Sequence, residues 1–274
     1  MRNVFLFILT LLIVAGCVEK TTWSVKPGDT NLIVVDGIIT DTMGAQQIRI
    51  THPVTELNAI PLPVTGAYVQ ITNEDSVYEL SEQPANSGIY LTHSSFVATP
   101  GKNYTLYINV NNQIFTAKTS MVRGAFFNSL SISHDDNDNM YHIDSVAKAF
   151  NPADTAMWEV LLDWSQAPGY EQADPSACKA RLLYYSLPTI DVSQIFAPPM
   201  EEIKFPGGTV ITERRYSLTP EYTEFLRTLI AETNWKGGLF SSLPANVLTN
   251  LHPVGAIGFF TACSITSLSL TVNF

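Results

Sequence analysis

Asn103-Tyr104-Thr105-Leu106-Tyr107-Ile108-Asn109-Val110-Asn111-Asn112-Gln113-Ile114-Phe115-Thr116-Ala117-Lys118-Thr119 decides the fold class. Tyr104, Leu106, Ile108 and Val110 stand at every second position, the period of a strand with one buried face. Asn111-Asn112 then offers a turn, and Ile114–Thr119 returns as the partner strand. The same alternation continues upstream. Ile48 and Ile50 oppose Gln47, Arg49 and Thr51 within Gln46–Thr51, and Ala67, Val69 and Ile71 oppose Tyr68, Gln70 and Thr72. Val77–Leu80 and Ile89–Leu91 are shorter, separated by the loop Gln83–Gly88. Leu32–Thr40 is nearly continuous in apolar residues, and its central Asp36-Gly37 marks a bulge or a close backbone contact. Seven short strands with turns about every 8–12 residues predict an immunoglobulin-like β-sandwich over residues 31–122.

Downstream, Met121–Ala125 reads as a linker interrupted by Gly124, and residues 123–274 read as a second, β-rich domain. Its expected strands are Phe127–His134, Tyr141–Phe150, Met157–Trp164, Lys179–Tyr185, Thr209–Tyr216, Val254–Ala262 and Ser264–Phe274. Two irregular segments rich in Pro and Gly, Ser165–Ala177 and Phe196–Gly208, lie between them. One amphipathic helix is expected near 220–233. Thr219 suits the N-cap, Pro220 the first helical position, and Glu221 the positive end of the dipole. Tyr222, Phe225, Leu226, Leu229 and Ile230 share a face that should pack on the second sheet, and Gly237-Gly238 ends the element. Leu268, Leu270, Val272 and Phe274 alternate in the last strand, as in strands that close outer-membrane barrels. Such barrels need at least eight alternating strands of about 10 residues, so an edge strand of the second sheet is the simpler reading.

Composition limits the function. The chain has 274 residues, of which 46% are hydrophobic and only 15% charged, which favours strands and a large buried core. A net charge of −10 excludes a nucleic-acid footprint and disfavours electrostatic docking on anionic lipid. The start, Met1–Cys17, carries Arg2, an apolar run Val4–Val14 and then Ala15-Gly16-Cys17. That is a secretory signal, too short to span a bilayer. Val14-Ala15-Gly16-Cys17 resembles the lipobox of bacterial lipoproteins. The resemblance implies a signal peptide over 1–16 and a diacylglycerol on the Cys17 sulfur. It also implies an acylated amino group and a lipidated tether over 17–30. Several acyl chains on one residue hold a domain firmly to a bilayer. Cys178 and Cys263 then remain, as one disulfide or as two buried thiols.

The segment Gly237-Gly238-Leu239-Phe240-Ser241-Ser242-Leu243-Pro244-Ala245-Asn246-Val247, with Gly255-Ala256-Ile257-Gly258-Phe259-Phe260 after it, resembles the C-terminal signature of a Bacteroidota outer-membrane lipoprotein family of unknown function. Leu32–Thr40, Pro63–Val69, Gly88-Ile89-Tyr90 and Pro100–Leu106 agree with the N-terminal half of that family. Its members are typically encoded beside SusC-like TonB-dependent transporters. The resemblance therefore implies a lipid-anchored outer-membrane protein at the cell surface, with such a transporter as partner. It supplies no active residues. Val18-Glu19-Lys20 offers one acidic residue after Cys17, where many surface lipoproteins of the phylum have several, so the periplasmic face stays open.

Few residues suggest chemistry. Asp135, Asn137 and Asn139 match the start of a calcium loop. Met140 stands where that loop needs Gly and no Glu closes it, so a solvated hairpin tip is the better reading. Trp158 and Trp164 with Tyr184 and Tyr185 are candidates for a stacking platform, although aromatics alternating along a strand are more often core. His52, His93, His134, His142 and His252 are scattered, with His134 and His142 flanking the acidic loop. Glu201-Glu202 is better read as a loop edge than as a catalytic pair. Nucleophile elbow, zincin, P-loop and dinucleotide motifs are all missing, so no catalytic residue and no cofactor beyond the covalent lipid are expected. The leading reading is a non-enzymatic accessory subunit of a transporter, assisting substrate capture or complex assembly. The alternative is a structural component of a surface or secretion complex, and Ser165–Ala177 and Phe196–Gly208 are the loops where partners would touch.

Overall fold

The computed structural model describes residues 32–54, 56, 59–146, 155–187, 203–233 and 247–273. The signal peptide, Cys17 and its tether, Glu201-Glu202, residues 196–202 and most of the Gly237–Val247 signature lie outside the described residues. The chain is mainly β. Its strands are β1 (Ile33–Thr40), β2 (Gln47–Thr51), β3 (Tyr68–Thr72), β4 (Val77–Glu82), β5 (Ile89–Leu91), β6 (Asn103–Val110) and β7 (Gln113–Val122). After them come β8 (Ser131–Asp135), β9 (Met140–Ser145), β10 (Ala156–Asp163), β11 (Lys179–Ser186) and β12 (Val210–Ser217). The helix α1 (Pro220–Thr233) precedes β13 (Leu251–His252), β14 (Ala256–Cys263) and β15 (Ile265–Thr271).

All seven strands expected over 31–122 are present, and Asn111 and Asn112 take the positive φ of the hairpin turn. Their sheet, however, does not keep the open edges of a sandwich. It runs β7-β14-β1-β2-β5-β4-β3-β6, and β6 pairs back onto β7, so eight strands close on themselves. The closing strand comes from the far end of the chain. β14 lies parallel to β1 from Ile33↔Ala256 to Thr40↔Cys263, and parallel to β7 at Ala262↔Met121 and Cys263↔Val122. β13 pairs with β7 alongside it. The division expected at 122/123 is therefore crossed: residues 251–263, assigned by sequence order to the second domain, complete the first sheet. Antiparallel neighbours follow tight turns and can be read locally, whereas a parallel partner arrives only after a long crossover.

The closed sheet is filled with side chains. Ile39, Ile48, Ile50, Val69, Ile71, Leu106, Ile108 and Phe260 are fully enclosed. Apolar residues fill the interior, the reverse of the polar interior of a membrane-spanning barrel. Two tyrosines reach the interior with their hydroxyls satisfied: Tyr90 donates to Val64 O at 2.8 Å, and Tyr104 accepts from Thr99 N at 2.6 Å. Glycine permits the closest approach. Gly258 has φ 93°, and a Cβ there would sit 2.1 Å from Val35 O, inside the β1–β14 ladder. At Gly37 a Cβ would meet Ile48 Cδ1 at 2.5 Å, the close contact that Asp36-Gly37 signalled. There is no bulge, because the β1–β2 register stays even as far as Gly37↔Ile48 and the β1–β14 register passes through Gly37↔Phe260 unbroken.

The second sheet is open and antiparallel, in the order β11-β10-β12-β15, with β15 at one edge as expected. The β8–β9 hairpin covers its inner face. Leu130, Ile132, Tyr141 and Ile143 pack there against Trp158, Val160, Leu162, Leu182 and Ile211. Helix α1 begins as its sequence dictates, with Tyr222 N bonded to Thr219 Oγ1 at 3.2 Å. Its apolar face has two partners where one was expected. Tyr222, Phe225 and Leu226 meet Met157 and Tyr216 of the second sheet, and also Phe259 and Cys263 of β14.

Ser264, the single residue between β14 and β15, carries the chain from one sheet to the other. Asp41 holds it there, accepting from Ser264 Oγ and, at 2.8 Å, from Ile265 N. Ser217 Oγ lies 3.1 Å from Val122 O and from Ser264 N. Gly124, expected to interrupt a linker, passes close here: a Cβ would sit 2.8 Å from Thr266 Oγ1.

Candidate functional site

The outer face of the second sheet is the best candidate. Strand alternation places Glu159 and Leu161 of β10, Arg181 and Leu183 of β11, and Thr212 and Arg214 of β12 on it. Glu159 is nearly enclosed and lies at the centre of a charge cluster. Its carboxylate accepts from Arg181 Nε at 2.6 Å, Arg214 Nη1 at 3.2 Å and Tyr216 Oη at 3.0 Å. Burial pushes this carboxyl up, but Arg181, Tyr216 and Arg214 outweigh it, so Glu159 titrates below its ordinary range. The Tyr216 phenol is pushed up to about 12, by burial first and then by Glu159. Such a carboxylate is locked in its charged form, with both oxygens engaged; it organises a surface and is poorly placed to move a proton.

Beside this cluster lies a concavity of about 590 Å³. Leu161, Val210 and Thr212 line it, and Lys179, Asp163, Arg181 and Gln166 rim it. Lys179 and Asp163 pair across its edge at 3.2 Å. Gln166 belongs to the loop Ser165–Ala177, which is built of successive turns: Ala167 N donates to Trp164 O, Tyr170 N to Ala167 O and Ala173 N to Tyr170 O. Leu183 (40% exposed) and Val210 (43%) leave apolar surface open around the fixed charges. Sequence reasoning missed this cluster. Its one signal was Glu159, a lone carboxylate in the otherwise apolar run Met157–Leu162.

The expected aromatic platform is dispersed. Trp158 is buried, with Phe127 edge-on at 4.9 Å between ring centroids and the Arg215 guanidinium 5.6 Å above it. Trp164 and Tyr184 are partly buried against the same core, on the inner face. Tyr185 points to the opposite, outer face. The four rings therefore share no open surface.

The acidic hairpin tip is occupied by a lysine. Lys204 Nζ bridges Asp135 Oδ2 at 2.7 Å and Asp138 Oδ2 at 2.6 Å. Asp135 Oδ1 accepts from both Asn137 N and Asn137 Nδ2. Lys204 first, then Asn137, lowers the Asp135 carboxyl to about 2. Asn139 takes positive φ in the turn and its side chain meets His134 Nε2 at 3.0 Å. Asn139 and then Asp136 raise the His134 imidazole. His142 lies 3.3 Å from Asp144, away from the tip. A cation here would have to displace Lys204, and among the described residues no cluster of His, Cys, Asp and Glu has metal-binding geometry. Cys178 and Cys263 are two buried free thiols, and burial pushes the Cys263 thiol up to about 12.

Residues 19–269 match the family model described as a domain of unknown function (DUF4249). The chain belongs to that family. Among solved structures, a segment of two fibronectin type-III domains from chicken tenascin is similar over 68% of this chain and 89% of that one, at 14% identity. Its TM-score is 0.20, which fixes no shared arrangement. No protein with a curated description matches this family member.

Proposed function

We propose that this family member is a lipid-anchored, non-enzymatic subunit of an outer-membrane complex at the cell surface, acylated on Cys17, with a SusC-like TonB-dependent transporter as partner. Its role is complex assembly, and the outer face of the second sheet is its contact surface. The observation that carries this reading is the rigid face itself, where Glu159 is fixed by Arg181, Arg214 and Tyr216 beside exposed Leu183 and Val210. Apolar surface around a preorganised charge cluster is what a protein interface uses for affinity and register. The concavity beside it is lined by aliphatic, polar and charged side chains without an aromatic ring, which supports docking over stacking of a sugar ring. That feature also fits a structural subunit of a surface or secretion assembly, for which the contact face would be the same.

The test is affinity purification of the full-length protein from native membranes in mild detergent, read by mass spectrometry. A TonB-dependent transporter is expected to co-purify, and Leu183→Asp with Val210→Asp should remove it while leaving thermal unfolding unchanged. Recovery of secretion components in its place selects the structural reading; recovery of neither sinks both. Separately, Cys17→Ala should release the protein from membranes, and persistent association would refute the anchor.

A further inference from the structure

The closed sheet has two ends of opposite character. Parallel pairing of β1, β14 and β7 puts the start of β1, the end of β2 and the β6–β7 and β13–β14 turns at one end. These pieces touch in sequence round the rim. His52 N donates to Leu62 O at 2.8 Å, and His52 Nδ1 lies 3.3 Å from Leu32 O. Ile33 N donates to Gly255 O at 3.1 Å, and a Cβ on Gly255 would lie 3.1 Å from the ring of Phe115. On this rim Val254 is 98% exposed, Ile60 89%, Leu62 71% and Ile114 49%. Among the described residues of the rim segments 52–66, 83–88, 111–112 and 252–255, Glu56 is the only acidic one, and there is no Lys or Arg. The nearby Glu82 carboxylate is turned onto the backbone N–H groups of Gly66 and Gly88, at 3.1 and 2.9 Å. The opposite end carries Asp41, Glu74, Asp75, Lys102 and Arg123, with Lys102 paired to Asp75 at 2.9 Å.

Single exposed apolar residues are ordinary on a soluble protein, but four on one rim almost without charge make a patch with a use. The position of this rim names the use. It holds Leu32, and only residues 18–31 separate Leu32 from Cys17. A stretch of that length reaches at most roughly 50 Å fully extended. The tether therefore enters the closed sheet at this rim, so this end reaches the bilayer with the least extension of residues 18–31. We infer that the rim of Ile60, Leu62, Ile114 and Val254 seats on the lipid surface that the acyl chains of Cys17 enter. This rests on the proposed acylation of Cys17. A net charge of −10 gives no attraction to anionic headgroups, so the contact is apolar, with side-chain tips in the interfacial layer. The acyl chains supply the affinity and the rim sets the orientation.

The test uses the full-length, acylated protein in nanodiscs of phosphatidylethanolamine and phosphatidylglycerol. A fluorophore is placed at Val254→Cys or, as the far-end control, at Met43→Cys; Met43 is 73% exposed just beyond β1. Lipid-borne bromine or nitroxide quenchers should quench the Val254 label several-fold more than the Met43 label. Adding Ile60→Asp and Leu62→Asp should reduce quenching at position 254 to the far-end level without releasing the protein. Equal quenching at both ends, or none at either, in a protein that still carries its acyl mass overturns the rim contact and leaves the anchor standing. A protein lacking the acyl mass on Cys17 overturns the anchor and the rim together. Shielding of position 254 only when outer-membrane proteins are added would assign the rim to a protein partner, and the lipid contact falls.

Discussion

The first sheet closes through β14, so among the described residues none of its eight strands lies at an unpaired edge, while the second sheet has edge strands at β11 and β15. The closed sheet fills its interior with aliphatic and aromatic side chains, and on its outside β14 presents Phe259 and Cys263 to α1. The open sheet buries Trp158, Val160 and Leu162 on one face and keeps Glu159, Arg181 and Arg214 on the other. Its edge strand β11 carries Lys179 and Arg181, charges that discourage unwanted strand pairing. The difference separates two roles. A sheet without edges is a scaffold, whereas a sheet whose outer face is only partly covered, by α1 at Met157 and Tyr216, and carries a fixed charge cluster can receive something.

The largest effect should come from breaking the closure. Gly258→Val places a β-branched side chain at φ 93° and against Val35 O, so the β1–β14 ladder must part. The expected cost is about 4 kcal/mol or more, seen as loss of cooperative thermal unfolding. Gly101→Ala is the control. Gly101 also has positive φ, 89°, but nothing lies within 4 Å of a Cβ there, so only backbone strain of about 1 kcal/mol is expected. If the two variants unfold alike, closure by β14 contributes little and the contrast between the sheets fails.

In the open sheet the corresponding lesion is milder. Glu159→Gln keeps the shape but removes the charge that Arg181 and Arg214 share. The arginine side chains are 61% and 42% exposed and can return to water, so the expected loss is about 1–3 kcal/mol in denaturant unfolding. Because the folded pKa of Glu159 is depressed, its contribution is present above the unfolded carboxyl pKa and lost as pH falls through the folded value. The Gln variant should therefore lose less stability than the wild type between neutral pH and acid. Thr219→Ala removes the cap at α1, where the two sheets share a helix, and should cost about 1 kcal/mol.

Legibility followed sequence distance. Tyr104–Val110 and its return strand, Ile48 with Ile50, and Val69 with Ile71 were readable because a strand reports its buried face within a few residues. Thr219-Pro220 announced α1 for the same reason. The closure was hidden: Ile33 and its partner Ala256 are joined by no local signal, and a parallel register leaves no turn to recognise. The Glu159 cluster was hidden likewise, because Arg181 and Arg214 come from neighbouring strands 22 and 55 residues away. Trp158 and Tyr184 were correctly placed on strands, but which face of β10 joins the core depends on the β8–β9 hairpin that covers it.

The smallest predicted effect concerns that hairpin and tests whether its tip is structural. Lys204→Met removes the cation from Asp135 and Asp138, an exposed pair of bridges screened by water, so thermal unfolding should be nearly unchanged. The titration should move far more than the stability. Asp135, held at about 2 by Lys204 and Asn137, should rise toward the ordinary carboxyl range but stop short of it, since Asn137 still donates to Oδ1. A depressed folded pKa stabilises above the unfolded value and is lost as pH falls through the folded one, so the wild-type tip should hold through pH 4 and loosen toward pH 2. Carbon-detected NMR of the Asp135 carboxyl reads both proteins directly. If calcium at millimolar concentration restores the low Asp135 pKa in the Met variant, Lys204 occupies a cation site; if it does not, the tip is a hairpin turn held by its own lysine.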